Sequence, residues 1–217
     1  MQEFDGGKKI GVSILGKPEK RFIDWLTPKV PAPVRSHHLT LASIPISLLI
    51  IGFSFLAREN DAYLWGVSLM IAAQWLTDSL DGAVGRLRNE GLVRWGYYMD
   101  HFLDYIFLAA VMAGYMILLP DHFKYLEFFI LAIFGAFMVN SYLAVSATGR
   151  FRINHLGIGP TEIRLVFIFV NTMLFFFGKT YLSGALPYVL GFSVLALCFV
   201  VYRTQKEIWG LDMNNKK

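Results

Sequence analysis

The 217-residue chain is 55% apolar and 16% aromatic, and only 17% of its residues are charged. This composition is too apolar for a soluble domain of the same length and indicates a bundle of membrane helices. The net charge of +4 lies in the segments between apolar stretches, which argues against a nucleic-acid-binding patch.

The first 38 residues are predicted to be a cytoplasmic tail that carries a short helix in the lipid headgroup layer. The stretch KRFIDWL, residues 20–26, mixes charged and aromatic residues in the manner of an interfacial amphipathic helix. Three prolines within residues 28–33 then end it. The alternative is an irregular tail that happens to hold one tryptophan.

Six apolar stretches follow, each close to the length of about 20 residues that spans a bilayer. They are Leu39–Leu56, Tyr63–Asp81, Gly96–Leu119, Tyr125–Val145, Glu162–Phe177 and Gly184–Tyr202. We therefore expect an all-α membrane protein with one six-helix domain over residues 39–203 and a cytoplasmic tail over 204–217.

The basic residues predict the orientation of these spans. Seventeen of the 20 Lys and Arg residues lie in the N-terminal segment, in residues 82–95 and 146–164, or after Tyr202. Lys and Arg collect in cytoplasmic loops, so both ends of the chain are expected in the cytoplasm. The cell (inner) membrane is the expected location, rather than an organelle membrane.

Four aspartates lie at or inside the ends of two predicted spans, where charged side chains are unfavourable. Asp78 and Asp81 are three residues apart at the end of the second span, and Asp100 and Asp104 are four apart at the start of the third. Each spacing places both carboxylates on one helix face. Helices joined by a short loop pack antiparallel, so the two faces are expected to meet near the cytoplasmic surface.

Such a group of acids needs compensation, because an unpaired carboxylate in hydrocarbon is costly. Oxygen ligands of this kind suit Mg²⁺ or Mn²⁺, which complete their shells with water and substrate phosphate. A metal-held diphosphate is the leading hypothesis. Structural salt bridges to Arg86, Arg88 and Arg94 are the alternative.

Small and basic residues at the end of the second span fit a nucleotide beside these acids. Gly82 and Gly85 would let a ligand approach the backbone closely. The guanidinium of Arg86 can bind two phosphate oxygens at once. Arg88 and Arg94 are interpreted as loop charges that fix the topology.

These residues form the pattern Asp-x-x-Asp-Gly-x-x-Gly-Arg, nine further residues, and Gly-x-x-x-Asp-x-x-x-Asp, from Asp78 through Gly96 to Asp104. The pattern resembles that of the CDP-alcohol phosphotransferase family, and the six-span layout is similar over nearly the whole chain. Two departures stand out. Gly85 replaces the family's usual alanine, and nine residues instead of eight separate Arg86 from Gly96.

The resemblance implies a role for each motif residue. Asp78, Asp81 and Asp100 would bind Mg²⁺ or Mn²⁺, and Asp104 would be the general base with a further metal contact. The two motif aspartates of the second span would also belong to the CDP site, together with Gly82, Gly85, Arg86 and Gly96. Relatives of this kind are homodimers, so a homodimer is expected.

His101 leaves two roles open. Its pairing with Asp100 resembles the choline and ethanolamine phosphotransferase branch, in which this histidine would deprotonate diacylglycerol. Alternatively, His101 would hydrogen-bond to a metal-binding aspartate and orient it without contacting the metal. In the second cytoplasmic loop, Arg150, Arg152 and Arg164 would bind an acceptor phosphate or a lipid headgroup, or only set the topology.

The resemblance implies a transferase of phospholipid biosynthesis that joins an alcohol to a substituted phosphate group from a CDP-linked donor and releases CMP. Either a CDP-linked headgroup reacts with diacylglycerol, or CDP-diacylglycerol reacts with a polar alcohol, so one substrate is a lipid. The rival hypothesis is a cation transporter or channel that uses the acidic cluster. A non-catalytic scaffold is a third.

Overall fold

We describe a computed structural model of the chain, which covers residues 8–10, 14–152 and 159–214. These residues are almost entirely helical. The helices are α1 (Gly16–Leu26), α2 (Ser36–Leu41), α3 (Ser43–Leu56), α4 (Leu64–Leu87), α5 (Val93–Leu118), α6 (Lys124–Thr148), α7 (Pro160–Phe177) and α8 (Thr180–Asn214). Two three-residue strands, β1 (Lys8–Ile10) and β2 (Arg150–Arg152), pair in parallel. His155, which lies between Arg152 and Arg164 in the predicted second cytoplasmic loop, is outside the described residues.

Five helical segments are long and apolar enough to cross a membrane. They are Ser36–Leu56, Val93–Leu118, Asp121–Thr148, Pro160–Phe177 and Leu182–Asn214. Several apolar helices of this length indicate an integral membrane protein, and within the described residues these candidate spans coincide with five of the six predicted ones. Helix α4, the remaining one, is 24 residues long but carries Gln74 near its middle and Asp78 and Asp81 in its second half, so its status as a span stays a prediction.

Helix boundaries follow from a few local signals. Pro45 has no N–H for the carbonyl of Leu41, which accounts for the interruption between α2 and α3. Helix α6 ends at Gly149, whose φ of 67° is the left-handed conformation that glycine adopts readily. Helix α7 begins with Pro160, which suits the first helical position because no N–H is needed there. The final helix continues to Asn214, so the predicted tail is helical beyond Tyr202.

Helices α3, α4 and α5 pack around the apolar core. Ile50, Ile71 and Val111 are at most 2% exposed and mark its centre. A Cβ atom added to Gly114 would lie 2.5 Å from the Ser54 hydroxyl, so α3 and α5 pack too closely at this point for a side chain. Helix α3 packs against both α4 and α5, and so holds the two helices that carry the aspartates in fixed positions.

Helix α7 packs against α4. The buried amide of Asn171 donates to the Ser68 hydroxyl of α4 over 3.1 Å. The hydroxyl of Tyr115, on α5, donates to the carbonyl of Phe167 over 3.1 Å. Because these bonds form away from water, they fix α7 against both helices that carry the aspartates.

The segment before α2 is fixed to the connection between α4 and α5. Arg88 donates from Nη1 to the carbonyl of Val34 (2.5 Å) and from Nη2 to that of Val30 (2.6 Å). Glu90 accepts from the backbone N–H (3.0 Å) and the hydroxyl (2.6 Å) of Ser36. Arg88 therefore holds the N-terminal segment in place, beyond its predicted role as a loop charge.

Candidate active site

The four predicted aspartates lie within about three turns of the adjoining ends of α4 and α5. Asp78 of α4 and Asp104 of α5 bond to the same nitrogen of Arg164, so their carboxylates are neighbours. Ligand atoms of Asp100, His101 and Asp104 all lie within 4.8 Å of one another. The structure thus brings together the acids that the short loop and the helical spacing predicted to meet.

Asp81 lies at the edge of this group. Its Oδ2 accepts a 2.8 Å hydrogen bond from the Thr40 hydroxyl of α2. Thr40 is buried and also bonds to the carbonyl of Ser36, one turn earlier. Helix α2 therefore orients the fourth carboxylate, a contact that the spacing of the aspartates alone does not predict.

Arg164 of α7 completes the cluster from a third helix. One nitrogen, Nη2, donates to Oδ2 of Asp78 over 2.9 Å and to Oδ1 of Asp104 over 3.1 Å. Its side chain is 6% exposed, and its guanidinium carbon lies 5.5 Å from the centre of the Phe107 ring. The sequence counted this residue with the basic charges at the start of the fifth predicted span and gave it no aspartate partner, whereas the structure buries it among the acids.

A sequence signal for this position exists in hindsight. Pro160 sets the start of α7, so Arg164 lies one turn inside an apolar helix. An arginine at that depth needs a carboxylate partner, and the acids of α4 and α5 are the candidates.

The salt-bridge alternative named the wrong arginine for two of the aspartates. Asp78 and Asp104 pair with Arg164, whereas Arg88 binds backbone carbonyls. One guanidinium among four carboxylates also leaves a surplus of negative charge at the site.

His101 contacts two tyrosine rings and one carboxylate. Its Nδ1 lies 3.1 Å from Oδ2 of Asp100. The ring centre is 4.3 Å from that of Tyr97 and 5.1 Å from that of Tyr142, with the latter ring nearly parallel at 10°. Tyr142 also donates to the backbone carbonyl of His101 over 3.2 Å. This arrangement fixes the imidazole relative to Asp100.

The three motif glycines have different surroundings. A Cβ atom on Gly82 would lie 3.2 Å from Nη1 of Arg86, so the arginine extends across this glycine. A Cβ on Gly85 would contact Ser36 at 3.4 Å, and one on Gly96 would meet nothing within 4 Å. Packing therefore explains Gly85 in part but gives no reason for Gly96.

The donor set fits a hard divalent cation. It consists of carboxylate oxygens with an imidazole alongside, and the surplus negative charge needs a cation to balance it. The side chains of Asp78, Asp100 and Asp104 are 20%, 33% and 26% exposed, which leaves room for water and phosphate oxygens in the coordination shell. The acids lie in one cluster instead of along a path across the bundle, so the structure does not favour the transporter hypothesis.

Comparison with known proteins places this site in a family. No curated protein and no solved structure matches the chain. Residues 36–202 match the family model described as CDP-alcohol phosphatidyltransferase. The matched segment covers most of the chain and contains the four aspartates, His101 and Arg164. The chain belongs to the CDP-alcohol phosphatidyltransferase family and is a transferase of phosphate-containing groups.

Proposed function

We propose that this protein is a Mg²⁺- or Mn²⁺-dependent transferase of phospholipid biosynthesis that moves a substituted phosphate group from a CDP-linked donor to an alcohol and releases CMP. The observation that carries the proposal is the convergence of Asp78, Asp100 and Asp104 around one partly exposed point, with a surplus of negative charge. A diphosphate cannot approach such a point unless cations lie between the two anions.

Asp78, Asp81 and Asp100 would hold the metal, with a further contact from Asp104. The bound cation would neutralise the diphosphate and stabilise the negative charge that develops on the leaving CMP. Asp81 is oriented for this role by Thr40, and Asp78 by Arg164.

Asp104 is the proposed general base. Its carboxylate is 26% exposed, so an acceptor hydroxyl can reach it, and Arg164 fixes one of its oxygens at 3.1 Å. The hydroxyl proton passes to Asp104 as the acceptor oxygen bonds to the phosphorus of the transferred group. The bond from that phosphorus to the oxygen shared with CMP breaks, and CMP leaves with its electron pair.

His101 is proposed to orient Asp100. Its Nδ1 faces that carboxylate, and stacking on Tyr142 together with the tilted contact with Tyr97 restricts rotation of the ring. Replacing it with glutamine or asparagine separates this role from that of a base, because an orienting amide retains part of the rate whereas a base cannot be replaced in this way.

The CDP moiety is proposed to bind at the end of α4 and the start of α5. Arg86 is exposed beside Gly82 and can reach phosphate oxygens from there. The open space above Gly96 would let the nucleotide approach the backbone of α5. Gly85 would keep α4 close to Ser36 at the rim of the same site.

The proposed membrane arrangement has six spans, with α4 as the sixth. A 24-residue helix is about 36 Å long, enough for the hydrocarbon layer. Both chain ends and the active site would face the cytoplasm of the cell membrane, and α1 would lie at the interface. We also propose a homodimer, on the family resemblance.

Either direction of lipid use fits the site. Diacylglycerol would be the acceptor for a CDP-linked headgroup, or CDP-diacylglycerol would be the donor to a polar alcohol. The side chains of Thr161 and Glu162 at the start of α7 bond to the N-terminal segment, so no headgroup is needed to explain them. These two side chains therefore do not help to choose between the two directions of lipid use.

The test is CMP release by the purified protein with Mn²⁺ from a panel of CDP-diacylglycerol, CDP-choline, CDP-ethanolamine and other CDP-alcohols, each with matching acceptors. We expect release with one donor class, abolition by chelator, and recovery on return of the metal. Folded protein that releases no CMP from any donor, or that is indifferent to chelation, contradicts the proposal.

A further inference from the structure

Helix α1 lies outside the segment that matches the family, yet one of its side chains links two helices of the active site. The match begins at residue 36, whereas α1 ends at Leu26. Glu19, in the first turn of α1, accepts hydrogen bonds at Oε1 from the indole of Trp75 (3.1 Å) and the hydroxyl of Ser79 (3.0 Å). Its Oε2 accepts from the hydroxyl of Thr161 (2.9 Å). The half-buried carboxylate therefore connects α4 to the first turn of α7.

Two of the three hydrogen-bond partners of Glu19, Ser79 and Thr161, lie next to the active site in the chain. Ser79 follows Asp78 directly in α4, and Thr161 precedes Arg164 by three residues in α7, on the same helix face. The bond from Arg164 to Asp78 joins the same two helices one turn further along α7. Glu19 and Arg164 thus fix α7 against α4 at successive turns.

Further contacts keep α1 in this position. The backbone N–H of Leu15 donates to Oε1 of Glu162 over 3.0 Å, while Oε2 of Glu162 accepts from the N–H of Gly159 at the start of α7. On the α4 side, Phe22 stacks on Trp75 with ring centres 6.0 Å apart and planes 18° apart. The N-terminal helix is therefore attached to both α4 and α7, with Glu19 between them.

We propose that Glu19 is a positioning residue for the transfer reaction. By fixing the first turn of α7 against α4, it sets the position from which Arg164 reaches both Asp78 and Asp104. This inference rests on the proposed function, in which Asp104 is the base. Small displacements near reacting groups are expensive, with about a hundredfold loss of rate for 1 Å.

The kinetic test compares Glu19→Ala and Thr161→Val with Asp24→Ala. Thr161→Val removes the bond to α7 and leaves both bonds from Glu19 to α4, so it isolates the link that the proposal requires. Asp24 is an exposed carboxylate of the same helix and serves as the control. We expect kcat to fall between about tenfold and a hundredfold in the first two variants, with the KM for the CDP donor little changed. Asp24→Ala should retain the wild-type rate.

A second readout does not depend on activity. Amide hydrogen exchange in peptides covering the first turns of α7 should accelerate in Glu19→Ala and Thr161→Val but not in Asp24→Ala. A residue that only fastens α1 to the membrane surface would leave exchange in α7 unchanged. Thr161→Val replaces a single hydroxyl by a methyl group and is therefore expected to fold. The test thus remains decisive if Glu19→Ala does not fold.

Wild-type kcat together with wild-type exchange in Thr161→Val overturns the proposal, even if Glu19→Ala loses activity. Wild-type values of both readouts in a folded Glu19→Ala protein do the same. If the wild-type protein releases no CMP from any donor, the proposed function fails separately. Hydrogen exchange then still decides whether Glu19 positions α7.

Discussion

Removing the buried guanidinium should destabilise the protein in a way that divalent metal reverses. In Arg164→Gln, the carboxylates of Asp78 and Asp104 lose a shared partner that is 6% exposed and bonds to them at 2.9 and 3.1 Å. Removing one partner of a fully buried ion pair costs about 3–5 kcal/mol, because the remaining charge stays in a medium of low polarity. Both carboxylates are partly exposed to water, so the lower end, about 3 kcal/mol, is expected.

This loss is large enough to measure. For a chain of this length, about 3 kcal/mol lowers the unfolding midpoint by about 6–12 °C by the scaling for globular proteins. Tryptophan fluorescence in detergent is a suitable probe of unfolding. The control is Arg203→Gln, an exposed arginine whose replacement should change stability by less than about 0.5 kcal/mol.

Saturating Mn²⁺ should raise the midpoint of Arg164→Gln by more than it raises that of the wild-type protein. A bound cation replaces the missing positive charge and stabilises the folded state by an amount that grows with the logarithm of its affinity. Equal stabilisation of both proteins by Mn²⁺, or an unfolding midpoint for Arg164→Gln within the error of Arg203→Gln, would refute this account of the cluster.

Three other predictions test separate parts of the account. Asp104→Asn should still bind the CDP donor but lose turnover, as measured by nucleotide binding and CMP release. Unchanged turnover would rule out Asp104 as the base. Gly96→Ala should weaken binding of the CDP donor without loss of stability, since its Cβ enters open space. Gly114→Ala should instead destabilise the fold, because its Cβ clashes with Ser54. The reverse pattern in binding and thermal unfolding would contradict both assignments. The hydrogen bond from the Ser36 hydroxyl lowers the pKa of the Glu90 carboxyl. The contribution of this bond to stability should therefore be complete above about pH 4.3, the pKa of an unfolded glutamate, and should disappear as the pH falls through the lowered pKa of the folded state. Thermal unfolding of Glu90→Ala should therefore differ from wild type at neutral pH and converge with it in acid, and a difference that persists in acid would exclude this mechanism.

Much of the fold and the acidic cluster could be predicted because both depend on short-range rules. Apolar length located the helices. The three- and four-residue spacings, with a short loop between α4 and α5, predicted that Asp78 and Asp81 would meet Asp100 and Asp104. Apolar length was a weaker guide to α4 as a span, because Asp78 and Asp81, its proposed site residues, lower the hydropathy of this helix.

The remaining contacts depend on how distant segments pack. Arg164 appeared to belong to a basic loop, because its position among the acids requires α7 to pack on α4. Glu19 lies in a charged N-terminal segment that looked like membrane attachment alone, and its partners are 56 to 142 residues away. The bond from Thr40 to Asp81 is likewise set by the packing of α2 on α4. No local pattern encodes such contacts.

The central claim is that acids of α4 and α5 bind divalent metal that in turn binds the CDP diphosphate. Its most direct test is a Mn²⁺ titration of the purified protein, followed by electron paramagnetic resonance of the free ion with and without CDP. We expect wild-type protein to bind Mn²⁺ more tightly when CDP is present, and Asp81→Asn and Asp100→Asn to lose this binding while Asp24→Asn retains it. Equal Mn²⁺ binding by all four proteins, unaffected by CDP, would contradict the account.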